Sequence, residues 1–326
     1  TSVVCHSLSD VPDIIDTWNE GKVADVEGYY ENAKINRVYV DRVHVKKAFA
    51  EYTAAYNADD PKIKLKIDHT YRVAALCERI AKAAGMCVYD VELAWLSGML
   101  HDVGRFEQIK RYNTFSDADS VDHAKFGADL LFKDGLISTF LNGMVKCTGY
   151  KPGALENRYS SDGVFLYDRL NKSDMEMLEL AIRCHNMYRI PQGLNRREQA
   201  FCNVLRDADK VDIFKVNIDT PLEEIYNTTT EELMKSDITD EVLEAFDEEH
   251  CILKAIRRTP ADTVIGHVSL AYELVYDESV RITVEQGYLA KLMHFHSDNE
   301  ETNRKMAMVR EKMDSYVKKR IGEKDA

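Results

Sequence analysis

Between Val43 and Asn57, apolar residues recur every three or four positions, which is the spacing of one helix face, and Ala58-Asp59-Asp60-Pro61 predicts its end. The period returns in Tyr71, Val73, Ala74, Leu76, Ile80 and Ala81, so a second helix is expected from a cap at Asp68 to a stop at Gly85. Asp90 is expected to start a third helix, Val91 to His101. Its stretch Leu93 to Leu100 is apolar or small at every position and suits a helix buried on most sides. Gly104 is expected to break that helix. Arg105 to Ser120 mixes aromatic, polar and acidic residues and reads as an ordered loop of the kind that carries substrate contacts.

Asp122 to Phe132 reads as helix again, and a variable loop is expected around Lys151-Pro152-Gly153. Ser173-Asp174 is expected to cap a helix from Met175 to Asn186, and a long helix follows from Arg197 to about Val216. Beyond Asp219 the pattern predicts helices over Pro221 to Lys235, Asp240 to Ile256, Thr263 to Val275 and Thr302 to Ile321. Stretches with strand alternation are few. The fold class expected is all-α, with residues 1–42 as an N-terminal extension, 43–218 as a helical core and 219–326 as a C-terminal helical extension packed on it.

Composition narrows the function. Of the 326 residues, 45% are hydrophobic and 30% charged, enough for a buried core. No apolar run of about 18 residues occurs, so no membrane span is expected. The first residues lack a basic start and an apolar h-region, so no signal peptide is expected. Seven scattered cysteines without framework spacing suit reduced thiols and a cytoplasmic location, with Cys77, Cys184 and Cys202 expected in the core. A net charge of −13 speaks against nonspecific nucleic-acid binding and against docking on anionic membranes. It leaves room for a small phosphorylated substrate, because a bound cation can supply the local positive charge.

The chemistry gathers around one doublet, His101-Asp102, in Ser97-Gly98-Met99-Leu100-His101-Asp102-Val103-Gly104-Arg105. An imidazole and a carboxylate together suit divalent metals of intermediate softness. Further candidates are His69, His123, His185 and Asp207, each in or beside a segment that reads as helix, and helical bundles build metal sites in that way. The order His, His-Asp, His, His, Asp, with His69-Thr70-Tyr71-Arg72-Val73, His101-Asp102-Val103-Gly104-Arg105-Phe106-Glu107 and Arg206-Asp207-Ala208-Asp209-Lys210 around it, resembles the HD superfamily of metal-dependent phosphohydrolases. The likeness runs from about Val43 to at least Val216.

That resemblance implies an HD-type helical bundle with a two-metal site. Asp102 is expected to bridge the ions, with His69, His101 and Asp207 completing one position and His123 and His185 the other. Fe, Mn, Co, Ni or Zn suit such ligands better than Mg. A metal-bridging hydroxide is expected to attack a nucleotide or other small phosphate ester. Asp102 and Arg105 are the expected catalytic residues, with Arg72, Arg105 and Lys210 as candidate substrate ligands; Arg105 could equally serve a salt bridge. Asp68 and Asp122 could be helix caps. His294, His296, Glu248-Glu249-His250 and the acidic pairs Glu223-Glu224 and Glu231-Glu232 are expected on the surface.

Two other classes share the ligand order: a di-iron oxygenase of the HD type, and a regulatory module that senses a nucleotide without turnover. An oligomer is compatible with the chain. The expected specificity segments are Arg105 to Ser120, the Lys151 region and Met187 to Leu194, and none names a base or sugar.

Overall fold

The computed structural model describes residues 40–57, 59–141, 172–226 and 228–322. The expected extension, apart from residues 40–42, and the loop around Lys151 lie outside these. Among the described residues there is no strand, and the fold is all-α as expected. No helix among them is long and apolar enough to cross a membrane. The chain divides into two compact units, one ending at Leu205 and the other beginning at Arg206.

In the first unit, α1 (Arg42–Thr53) is capped by Asp41, which accepts a hydrogen bond from the His44 amide at 2.9 Å. The next helix, α2 (Pro61–Ala83), starts a full two turns before Asp68. Asp60 accepts from the Lys62 amide at 2.8 Å and Pro61 takes the first helical position, where its missing N–H costs nothing. The Asp60-Pro61 pair therefore does two jobs, stopping one helix and opening the next, and Asp68 is an exposed interior residue.

The following helix, α3 (Val88–Leu100), buries every residue from Leu93 to Leu100. Asp90 is no cap. It is wholly buried and meets the Arg197 guanidinium at 2.7 Å, while Asp174 takes the other side of that guanidinium at 2.6 Å and accepts from the Tyr89 hydroxyl. Gly98 lets α3 lie directly on α2: a Cβ there would stand 2.6 Å from the Ala74 Cα.

Gly104 does not break a helix. It sits in the first turn of α4 (Val103–Tyr112), which fills half of the expected Arg105–Ser120 loop and ends at Asn113 in the left-handed conformation, φ 52°. A Cβ at Gly104 would lie 2.4 Å from the His123 carbonyl oxygen and 2.7 Å from the Gly127 nitrogen. The glycine is there for close approach, so that α4 touches the backbone of α5 (His123–Ala128). Asp122 caps α5 at the Lys125 amide, 3.2 Å away, and α5 runs into one π-helical turn, Asp129–Lys133. Then come α6 (Ile137–Phe140), α7 (Lys172–Cys184) and α8 (Arg196–Asp219); Cys77, Cys184 and Cys202 are buried free thiols.

The second unit contains the rest of α8 and helices Leu222–Tyr226, Thr230–Lys235, Asp240–Asp247, Pro260–Val268, Asp277–Gln286, Tyr288–Met293 and Glu300–Ile321. The expected helix from Pro221 to Lys235 is split, because Thr229 opens a new one with a capping box to Glu232. The one expected over Thr263 to Val275 starts earlier, where Thr259 and Asp262 form another capping box ahead of Pro260. The segments Asp277–Gln286 and Tyr288–Met293 were not anticipated; β-branched residues in Ser279-Val280-Arg281-Ile282-Thr283-Val284 mask the helical period.

Candidate metal centre

Five of the expected ligands meet in the first unit. His69 is buried in mid-α2, whose neighbouring turn is pinned to α3 through the Gly98–Ala74 contact. His101 and Asp102 fill the joint between α3 and α4, His123 opens α5, and His185 follows the last turn of α7. All five side chains are buried.

The carboxylate of Asp102 divides the histidines into two pairs. Its Oδ2 lies 3.6 Å from Nε2 of both His69 and His101, and its Oδ1 lies 3.5 Å from Nε2 of His123 and 3.8 Å from that of His185. Within the pairs, the Nε2 atoms of His69 and His101 are 3.3 Å apart and those of His123 and His185 are 3.1 Å apart. One oxygen thus faces each pair.

Hydrogen bonding decides what these nitrogens offer. Nδ1 of His101 stands 2.7 Å from the Gly98 carbonyl, Nδ1 of His185 stands 2.7 Å from the Ile182 carbonyl, and Nδ1 of His123 stands 2.6 Å from Asp117 Oδ2. Each partner is an acceptor, so each Nδ1 carries the proton and each Nε2 keeps its lone pair. The His123–His185 contact then presents two lone pairs to each other across 3.1 Å, a repulsion that a bound cation would relieve. Burial pulls the pKa of His123 down to about 4, helped by Arg105 and opposed by Asp117 and Asp102, so the ring is neutral near pH 7. These residues fit a divalent metal ion.

Positive groups flank the carboxylate. Burial opposes the charge of Asp102, but its neighbours, Lys66 first, outweigh it and hold the group well below the usual carboxylate range. Lys66 Nζ donates to Oδ2 at 2.7 Å, while Arg105 Nε lies 3.8 Å from Oδ1. Arg105 makes ion pairs here. Its Nη1 donates to Gln108 Oε1 at 2.7 Å, to the Phe115 carbonyl at 2.7 Å and to Asp117 Oδ1 at 2.9 Å, which ties down the loop after α4.

The remaining expectations divide. Arg72 is half-buried on α2. Asp207 belongs to the second unit, and there both of its oxygens are engaged: the Val275 and Tyr276 amides donate at 3.0 Å and the Ser279 hydroxyl at 2.7 Å. These bonds hold the chain just before Asp277–Gln286. Lys210, also in that unit, is buried, and burial followed by Arg206 draws its pKa down to about 8. His294, His296, Glu248, Glu249 and both acidic pairs are exposed, while His250 is half-buried.

Sequence reasoning missed Lys66, Gln108 and Asp117. Lys66 sits in the alternating run Lys62-Ile63-Lys64-Leu65-Lys66, where nothing separates it from its neighbours. Asp117 is one of three aspartates in six residues, Asp117, Asp119 and Asp122. Asp117, Asp122 and His123 also come close enough to suggest a further cation site. His123 Nδ1 points its proton at Asp117, however, and the Asn186 amide donates to both aspartates at 3.3 and 3.0 Å, so hydrogen bonds already fill that space.

The first unit is all-helical and sets a buried carboxylate between two histidine pairs, a donor set that suits a divalent metal. The HD domain family model matches residues 67–250, more than half of the chain, and the chain belongs to that family. Members of the family bind divalent metals and are mostly metal-dependent phosphohydrolases. No curated protein and no solved structure gives a significant match.

Proposed function

We propose that the protein is a metal-dependent phosphohydrolase that cleaves a nucleotide or another small phosphate ester at two divalent transition-metal ions shared by Asp102. The observation that carries this reading is the division of one buried carboxylate between two pairs of histidine Nε2 atoms. A pair of mixed imidazole and carboxylate positions favours Fe, Mn, Co, Ni or Zn. Once bound, such ions would supply a water acidic enough to attack at neutral pH and would offset charge on the phosphoryl oxygens.

The protein's own groups would do the rest. Asp102 holds the two halves in register. The backbone carbonyls of Gly98 and Ile182 hold the His101 and His185 rings in the tautomer a cation needs. Lys66, within reach of Asp102 and 5.5 Å from the Phe115 ring, offers an ammonium to an anionic substrate at the edge of the centre. Arg105 keeps the Phe115–Asp117 segment in place.

The test is metal analysis of the purified protein followed by a phosphate-ester panel with Mn(II), Co(II) or Fe(II), in air and without oxygen. Phosphate release that needs metal, does not need O₂ and disappears in Asp102→Ala supports hydrolysis. Oxygen consumption with iron, or turnover retained in Asp102→Ala, overturns it.

A further inference from the structure

Three of the clustered histidines have known Nδ1 partners, and one partner differs in kind. His101 and His185 stand at helix C-termini, where the ring folds back onto the carbonyl three residues earlier. A main-chain acceptor of that sort survives any side-chain substitution. His123 is the first residue of α5, so no preceding helical turn exists to supply one. Its acceptor is a side chain brought in by the loop, Asp117.

We propose that Asp117 is the positioning residue for the His123–His185 half of the centre. It fixes His123 with the proton on Nδ1 and so keeps Nε2 bare for a cation. The inference rests on the two-ion reading above. Around Asp117, Oδ1 accepts from Arg105 Nη1 at 2.9 Å and from Gln108 Nε2 at 3.0 Å, while Oδ2 faces His123 Nδ1 at 2.6 Å and Asn186 Nδ2 at 3.3 Å. Gln108 is wholly buried and its orientation is set, since its Oε1 accepts from Arg105 and its Nε2 donates also to the Ser120 hydroxyl and the Val121 carbonyl. Four donors therefore converge on this one carboxylate, and Arg105 and Gln108 fix which oxygen faces the histidine.

The arrangement predicts an inverted mutational order. In Asp117→Asn, the amide oxygen stays with the two donors Arg105 and Gln108, which leaves the NH₂ group facing His123. His123 Nδ1 must then accept, the proton moves to Nε2, and Nε2–H bonds to the bare Nε2 of His185. That bond closes the position to a metal ion. In Asp117→Ala, water can enter and accept from Nδ1, so the binding tautomer survives with weaker support; loss of such outer partners costs about 10–100-fold in metal affinity. A purely structural role would give the opposite order, with the truncation to alanine worse than the near-isosteric asparagine.

The experiment measures Mn(II) bound per chain by equilibrium dialysis in the whole protein and both variants, and the ring tautomer of His123 in the metal-free proteins by long-range ¹H–¹⁵N NMR. The expected result is two ions and an Nδ1–H ring in the unsubstituted protein. Asp117→Asn should bind one ion and show an Nε2–H ring, and Asp117→Ala should bind two, the second about 10–100-fold more weakly. Unchanged stoichiometry, affinity and tautomer in Asp117→Asn would overturn the proposal, as would alanine being worse than asparagine. If the unsubstituted protein binds no cation, the two-ion reading fails, and the tautomer comparison still decides what Asp117 does.

Discussion

Replacing Gly104 with alanine adds one methyl group at the point where α4 rests on the first turn of α5. The new Cβ would stand 2.4 Å from the His123 carbonyl oxygen, 2.7 Å from the Gly127 nitrogen and 2.9 Å from the Gly127 Cα, all of them backbone atoms that no rotamer change can move. Side-chain carbons essentially never approach closer than 3.0 Å, and ordinary contact begins at 3.4 Å. The two helices must therefore separate by about 0.6 Å to clear and about 1 Å to relax. His123 travels with α5, while Asp102 stays at the start of α4.

Metal sites tolerate ligand displacements of only about 0.2 Å. The His123–His185 position should thus lose its ion, or bind it at least about 10-fold more weakly, while His69 and His101 on α2 and α3 are spared. Overpacking of this kind costs about 1–3 kcal/mol. The assays are Mn(II) stoichiometry and metal-free thermal unfolding. A variant that keeps both ions at unchanged affinity, with an unchanged melting temperature, would refute the claim that this backbone contact sets the geometry of the centre.

Other substitutions probe separate parts of the account. Lys66→Met leaves the buried Asp102 carboxylate without its closest counter-charge, a loss worth roughly 3–5 kcal/mol in the metal-free protein. The rise in melting temperature on adding Mn(II) should then exceed that of the unsubstituted protein, and equal rises would contradict the pairing. Asp207→Asn should lower the melting temperature, because it disturbs the acceptor that holds the Val275 and Tyr276 amides and the Ser279 hydroxyl; an unchanged melting temperature would contradict that role. Burial, with Arg257 and Lys254, draws the His267 pKa down to about 3. The unfolded chain therefore binds the proton first as pH drops below about 6.5, and stability should fall by up to roughly 1.4 kcal/mol per pH unit between there and pH 3. Denaturant unfolding of His267→Gln should show a flatter dependence over that window, and an identical slope would remove His267 as the cause.

Much of the centre was legible because ligands repeat as residue types in a fixed order. His69, His101, Asp102, His123 and His185 were singled out by an order and flanking residues that resemble those of the HD superfamily, and the structure gathers these five. The Asp-Ala-Asp segment was different. Two carboxylates two residues apart point to opposite sides of a helix, and only the amides of Val275 and Tyr276, nearly seventy residues away, reveal where Asp207 is turned. Arg105 was ambiguous for the same reason, since its partners Gln108, Phe115 and Asp117 come from a loop whose path local pattern does not dictate.

Helix boundaries failed where one residue serves two elements. Asp60-Pro61 reads as a stop, yet it is also an N-cap and first-turn pair. Gly104 reads as a breaker because its lack of a side chain is visible in sequence, whereas the neighbouring backbone that requires that lack is not.

The central claim is that Asp102 is shared between two cations, and one measurement tests it most directly: bound Mn(II) per chain, with phosphate release followed in the same samples, for the unsubstituted protein and Asp102→Ala. The expected result is two ions and metal-dependent release for the first, and loss of both ions together with all release for the second. Retention of both ions by Asp102→Ala would contradict the claim, because a carboxylate that joins two sites cannot be removed without cost to each.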